Sequence, residues 1–184
     1  MNNKVNYKII VIFLVLILWI FLIFYFSSRS PVKSSQQSSF VTNILRKIDQ
    51  AIDFSNTALF RKLELYIKKM WFKTQYVPAE MLVRKTAHFG LYFILGFLSF
   101  IGFSKITKVY IALLLGITFP NFIAVIDEYS QQYYNRGSSL NDVIIDLSGI
   151  IFGVLFAFLL LLLFEKFIKY FHKRYKKKSI EEDG

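Results

Sequence analysis

The order of apolar and polar residues divides the chain into long hydrophobic runs and shorter polar segments. The first run, IIVIFLVLILWIFLIFYF at residues 9–26, is uncharged and has the length of a membrane-spanning helix, which needs about 20 apolar residues. Three further runs follow at residues 86–103, 108–126 and 140–164. The pattern predicts an all-α polytopic membrane protein with four transmembrane helices.

Charge divides the chain into four parts along these runs. Residues 1–26 are predicted to form the first transmembrane helix, 27–82 a basic amphipathic extracytoplasmic loop, 83–164 a core of three helices, and 165–184 a basic cytoplasmic tail. Lys4 precedes the first run as in a signal peptide, but the run is long for one and no small-residue cleavage site follows it. We therefore expect the first helix to be retained.

The loop after the first run changes character along its length. Residues 27–39 are rich in Ser and Gln, which predicts a flexible link. Residues 40–72 carry apolar side chains at helical spacing on one face and Lys or Arg on the remaining arc, which predicts amphipathic helices. Such helices either lie in the lipid headgroup layer or form a cap on the bundle, and both arrangements remain open.

The basic tail predicts the orientation of the protein in the cell membrane. Four crossings place both termini on the same side, and residues 165–184 are rich in Lys. Positively charged segments are retained in the cytoplasm, so we expect both termini to be cytoplasmic. The loop at residues 27–82 is also basic, but it approaches the length at which loop charges lose their influence on orientation.

Composition narrows the classes of function. The chain has 184 residues, is 55% hydrophobic and carries a formal net charge of +11 at pH 7. Its cations flank the apolar runs, which favours anionic phospholipid over nucleic acid as the partner. Because the chain has no cysteine, disulfides, thiolate metal sites and a cysteine nucleophile are excluded.

Polar residues accumulate at one end of the predicted bundle. The second run enters the membrane at a basic segment, the third leaves it at an acidic one, and the fourth re-enters through further acids. These segments share one end of the bundle whichever way the protein is oriented. An unpaired carboxylate at that depth costs about 2–3 kcal/mol, so we expect pairing, protonation or a ligand. The candidate ligand-binding residues are Arg84, Lys85, His88, Tyr92, Asp127, Glu128, Gln131, Arg136, Asp142 and Asp146.

Helical spacing places several of these residues on inward stripes. Arg84 and His88 lie one turn apart on one face of the second run. Asp146 shares a stripe of the fourth run with Gly149 and another glycine one turn on, a small-residue surface that lets a neighbouring helix approach closely. If that surface packs inward, Asp146 needs a partner, and Arg84, His88 and Arg136 are the candidates. The alternative to a binding site is a purely structural cluster of ion pairs.

Two segments resemble the VanZ-like family of small bacterial membrane proteins. They are RKTAHFGLYFILGFL at residues 84–98 and DEYSQQYYNRGSSLNDVIIDLSGIIFG at residues 127–153, and the resemblance covers about residues 81–164. Many relatives carry Glu where this chain has Leu91 and Asn where it has Asp146, so roles that need those groups are not carried over. The matching positions are Arg84, Lys85, His88, Tyr92, Asp127, Glu128, Gln131, Arg136, Asp142 and Gly149.

This resemblance implies a phenotype rather than a reaction. The family's namesake is associated with low-level resistance to teicoplanin, a lipidated glycopeptide antibiotic that acts at the outer membrane face. We therefore expect a binding protein whose outward-facing polar pocket takes a lipidated or anionic cell-envelope ligand, such as the glycopeptide or a lipid-linked cell-wall precursor. Arg84, Lys85 and Arg136 would hold its phosphate or carboxylate. Membrane lipids are further expected partners, a homo-oligomer is compatible with the sequence, and no cofactor is expected.

An enzyme is the alternative prediction. One histidine among several carboxylates is able to bind a divalent metal or to perform acid–base chemistry on a lipid phosphate. His88 would then carry the proton, and Asp127, Glu128, Asp142 and Asp146 would be the ligands. A proton-coupled transporter is a third class, although four spans are few for a transporter unless the protein oligomerises.

Overall fold

The computed structural model describes residues 7–137 and 139–182, with side chains described as far as residue 169. The described residues form helices and no strand. The described part of the chain contains six α-helices and two short 3-10 turns, one after α2 and one after α5. In chain order the helices are α1 (Tyr7–Ser27), α2 (Pro31–Ile52), α3 (Ala58–Phe72), α4 (Ala79–Ser104), α5 (Val109–Gln131) and α6 (Leu140–Glu182).

Four segments in the described part of the chain are long and apolar enough to cross a membrane. They are Tyr7–Ser27, Ala79–Ser104, Val109–Tyr134 and Leu140–Lys169. The prediction of an all-α protein with four transmembrane helices is therefore confirmed. The second span begins seven residues before the predicted start at Thr86, so the basic segment at its entrance is already helical.

The helix α4 lies at the centre of the bundle, in contact with α1, α2, α5 and α6. Its contact with α6 is close because glycines meet the α4 backbone there. A Cβ atom at Gly149 or Gly153 would overlap the carbonyl oxygens of Phe89 and Phe93. Gly96 of α4 makes the equivalent close contact, since a Cβ atom placed there would lie 2.5 Å from the carbonyl oxygen of Ile150. The small-residue stripe predicted on the fourth run therefore packs inward.

The prediction of a flexible link at residues 27–39 was wrong, because most of this segment belongs to α2. Ser30 caps the helix by accepting a hydrogen bond from the backbone N–H of Lys33, and Pro31 occupies its first turn. The buried hydroxyls of Ser38 and Thr42 donate to carbonyl oxygens one turn earlier in the same helix. The hydroxyl groups of this Ser-rich face are therefore hydrogen-bonded within α2 itself, so the face is able to be buried.

Helix α3 follows a tight connection that Asp49 stabilises by accepting bonds from the backbone N–H and the hydroxyl of Ser55, at 2.7 and 2.6 Å. Its end is fixed to the bundle by Trp71, whose ring is buried and lies 5.9 Å from that of Phe89. The apolar stripe of α3 remains exposed instead of packing on the bundle, with Leu59, at 80% exposure, as its extreme.

Candidate functional site

A buried carboxylate joins three helices at the polar end of the bundle. Asp127 in the last turn of α5 is fully buried, and its Oδ2 accepts hydrogen bonds from the hydroxyls of Ser27 at 2.8 Å and Tyr92 at 3.1 Å. Ser27 ends α1 and Tyr92 lies in α4. Oδ1 of Asp127 has no hydrogen-bond partner among the described residues. Asp127 therefore positions α1 against the α4–α5 pair.

The neighbouring acid, Glu128, organises the turn into α6. Its Oε2 accepts a hydrogen bond from the side-chain amide of Gln131 at 3.0 Å, and its Oε1 accepts one from the backbone N–H of Ser139 at 2.7 Å. Glu128 and Gln131 are both buried. These contacts use the carboxylate and amide to hold the loop, and they leave little of either group for a ligand.

Lys85 and Asp142 form an ion pair between α4 and the start of α6. The Lys85 side chain is only 9% exposed, so its charge is balanced inside the protein. Beside this pair, the side-chain amide of Asn141 donates to the backbone carbonyl of Trp71 at 2.8 Å. The ion pair and this bond together connect α4, α6 and the end of α3.

One turn further into α6, Asp146 faces the histidine of α4. The Nδ1 of His88 lies 3.7 Å from the Oδ1 of Asp146, an ion-pair distance that is longer than a hydrogen bond. Asp146 is 1% exposed, and neither of its oxygens has a hydrogen-bond partner among the described residues. Of the three candidate partners for Asp146, the structure selects His88.

A cavity of about 900 Å³ lies on the other side of α4, between α4, α1 and α2. Its size is typical of sites that hold small molecules. Four cations line it and no acid does among the described residues; the cations are Arg29, Lys33, Arg84 and Arg136. His88 also lines this cavity, so it separates the cationic space from the buried acids.

Two of these cations are held in place by the end of α1. The guanidinium of Arg136 donates to the backbone carbonyl of Ser27 at 2.9 Å. The guanidinium carbon of Arg29 lies 4.2 Å from the centre of the Tyr25 ring. A guanidinium N–H of Arg29 donates a hydrogen bond to the phenol oxygen of the same tyrosine. The Nε of Arg29 is buried with no partner among the described residues. Both guanidinium groups are thus held at the cavity wall by residues of α1.

The charges lining the cavity repel one another. Burial lowers the pKa of Arg136, and the positive charge of Arg84 lowers it further, while nearby acids partly oppose the shift. Arg84, one of the three candidate partners for Asp146, forms no ion pair among the described residues. An anion between these two guanidinium groups would relieve the repulsion.

The structure thus separates the ten predicted residues into two groups. Arg84, His88 and Arg136 line the cavity. The other seven form the network behind it, in which all but the partly exposed Asp142 are buried: Lys85, Tyr92, Asp127, Glu128, Gln131, Asp142 and Asp146.

The prediction missed Arg29 and Lys33, because they lie in the segment assigned to a flexible link. The Ser-Pro pair at the start of α2 was the signal that could have identified a helix there.

The acids in the described part of the chain do not form a metal site. Within the described residues, no group of three or more His, Asp or Glu side chains is placed to hold a metal ion. The acids are instead distributed among separate partners on α1, α4 and the turn before α6. The metal-dependent form of the enzyme hypothesis therefore has no set of metal ligands among the described residues.

Comparison with protein families assigns the chain to one family. The family model described as VanZ/LLP1 matches residues 12–163. The match is longer than the resemblance recognised in residues 81–164, since it includes α1 and the segment that forms α2 and α3. No curated protein matches the chain, and no solved structure does.

Proposed function

Because the chain belongs to the VanZ/LLP1 family of membrane proteins, we propose that it binds a lipidated, anionic ligand of the cell envelope in the cavity between α1, α2 and α4. The observation that carries the proposal is the composition of the cavity wall, which has four cations and no acid among the described residues. The predicted orientation, with both termini in the cytoplasm, makes this cavity outward-facing. The family link to glycopeptide resistance fits a ligand at that face.

The cations are suited to a phosphate or carboxylate. Arg84 and Arg136 are close enough for the charge of Arg84 to lower the pKa of Arg136. Guanidinium groups bind oxyanions through paired, charge-assisted hydrogen bonds, and these are stronger than bonds between neutral groups. The buried network behind the cavity acts as its support, because Asp127 holds the α1 end to which Arg136 also bonds.

Lys85 has a different role in this proposal from the one predicted from the sequence. Its ammonium group is paired with Asp142 inside the bundle, and it does not line the cavity. Arg29 and Lys33 take its place as cations available to the ligand. The acids Asp127, Glu128 and Asp142 stabilise the bundle rather than contact the ligand.

Binding of hexadecyl phosphate to the purified protein in nanodiscs of phosphatidylcholine tests the proposal. Arg84→Gln and Arg136→Gln should each weaken binding by about tenfold or more, the value of a hydrogen bond to a charged group. Lys62→Gln is the matched control, since Lys62 is exposed on α3 and does not line the cavity. Equal affinities for all four proteins would contradict the proposal.

One observation favours a second candidate, hydrolysis of a lipid phosphate. His88 lines the cavity and has the buried Asp146 at its Nδ1 side, an arrangement that orients a general base. His88 would take a proton from a water molecule as its oxygen attacks phosphorus, and would return it to the departing lipid alcohol. Release of phosphate from hexadecyl phosphate by the protein, abolished in His88→Gln, would establish this activity. Binding without release would reject it.

A further inference from the structure

The cavity has a charged end and an apolar end. Arg84 and Ile94 both line it, and ten residues of α4 separate them, a length of about 15 Å. On α1 the cavity extends likewise from Phe26 to Trp19. This length is about half the thickness of the hydrocarbon core of a bilayer, which is about 30 Å.

Away from the cations, the α1 and α4 sides of the wall are hydrocarbon and aromatic, whereas the α2 side also carries serine and glutamine side chains. Trp19 contributes its ring, which is fixed by a 2.9 Å hydrogen bond from the indole N–H to the backbone carbonyl of Leu91. This bond satisfies the polar atom of the indole and leaves an apolar surface. The remaining apolar lining on α1 and α4 is provided by Phe26, Val83, Ala87, Gly90, Leu91 and Ile94.

Close packing between helices does not explain why a glycine occupies the position of Gly90 in α4. Three other helical glycines, Gly96, Gly149 and Gly153, allow the backbones of α4 and α6 to touch. A Cβ atom at Gly90 would meet nothing within 4 Å, and the residue lines the cavity. Glycine weakens a helix interior relative to alanine, so the position loses helix stability without a packing gain. Its effect in the structure is to widen the cavity between its two ends.

We infer that the cavity encloses the hydrocarbon chain of its ligand as well as its headgroup. The ligand is then an anionic membrane lipid, with its phosphate at the four cations and its chain along α1 and α4 toward Trp19 and Ile94. This inference rests on the proposed function and goes further, because anion binding at the cations alone would need neither the apolar depth nor Gly90.

The first test uses Trp19 as a reporter inside the cavity. The chain has two tryptophans, so Trp71→Phe leaves Trp19 as the single source of indole fluorescence. Hexadecyl phosphate brominated along its chain should quench Trp19 in this variant, with the same concentration dependence as binding. Unbrominated hexadecyl phosphate is the control for quenching by the headgroup.

The second test fills the cavity. Gly90→Leu should weaken binding of hexadecyl phosphate by about tenfold or more, because its side chain occupies the space of the lipid chain. Binding of inorganic phosphate should remain unchanged, since the cations are untouched. Thr118→Leu is the matched control, because Thr118 is exposed on α5 and does not line the cavity. Its affinity should equal that of the wild type.

The outcomes separate the inference from the function on which it rests. Quenching of Trp19 together with selective loss of lipid binding in Gly90→Leu supports the enclosed chain. If Arg84→Gln loses binding while Trp19 is not quenched and Gly90→Leu binds normally, the ligand is held by its headgroup alone and the inference is wrong. If Arg84→Gln also binds normally, the proposed function is wrong as well.

Discussion

The two sides of α4 differ in how closely its neighbours approach. Toward α6, Gly149 and Gly153 bring the two backbones into direct contact. Toward α1 and α2, the same helix borders a cavity of about 900 Å³. The first side provides rigidity through packing, while the second leaves room for a ligand. One helix therefore serves both as the centre of the fold and as a wall of the candidate site.

The cations of α4 are divided between the same two sides of the helix. Arg84 and Lys85 are consecutive, so their side chains leave α4 about 100° apart. Lys85 points into the packed side, where Asp142 balances it, whereas Arg84 lines the cavity. Two adjacent cations thus have different surroundings: Lys85 is paired inside the bundle, and Arg84 lines the cavity in which we propose that the ligand binds. Since both residues are cations, this difference follows from their positions around the helix.

Removing the buried cation should have the largest effect. Lys85→Met leaves Asp142 without its partner in a partly buried position, which should lower the free energy of unfolding by about 3 kcal/mol. Arg84→Met, the neighbouring control, should change it by less than about 0.5 kcal/mol because no ion pair is lost. Thermal unfolding in detergent measures both.

The double variant Lys85→Met/Asp142→Leu sharpens this result. It removes both charges together, so most of the lost stability should return. The distinction between the two sides of α4 would be wrong if Arg84→Met destabilised the protein as much as Lys85→Met does.

Adding one methyl group should have opposite effects on stability on the two sides of α4. Gly153→Ala places a Cβ against the backbone of Phe93, so α4 and α6 must separate at a cost of about 2 kcal/mol. Gly90→Ala meets no atom within 4 Å and should gain up to about 1 kcal/mol from the better helix propensity of alanine. The melting temperatures of the two variants should shift in opposite directions, and shifts of the same sign would reject the difference in packing.

The smallest effects should come from two serines near the cavity. Ser27→Ala removes a 2.8 Å hydrogen bond to the buried Asp127 and should cost about 1 kcal/mol. Ser38→Ala removes only a bond to a carbonyl of its own helix, so its stability should stay within about 0.5 kcal/mol of the wild type. Chemical denaturation at neutral pH compares them. Equal losses would mean that α1 is not held by Asp127.

Much of the fold follows from the sequence, because a bilayer accepts apolar helices with few alternatives. The convergence of polar residues at one end also follows, since it depends only on the order of the spans. The division of those residues does not, because it depends on the rotation of α4, which places Arg84 and Lys85 on different sides. Arg29 and Lys33 could not be assigned without recognising that α2 begins at Pro31 and returns along α4.

The length of α6 has a mechanical consequence. It is one continuous helix of 43 residues, about 65 Å long, which exceeds twice the hydrocarbon thickness of about 30 Å. Its first turn carries Asp142 and Glu128 holds the backbone just before it. Because α6 packs closely on α4, the two helices would tilt together, and a tilt of 5° about the polar end would displace the far end of α6 by about 5–6 Å. A small tilt at the polar end would therefore become a displacement of several ångström at the other end of α6.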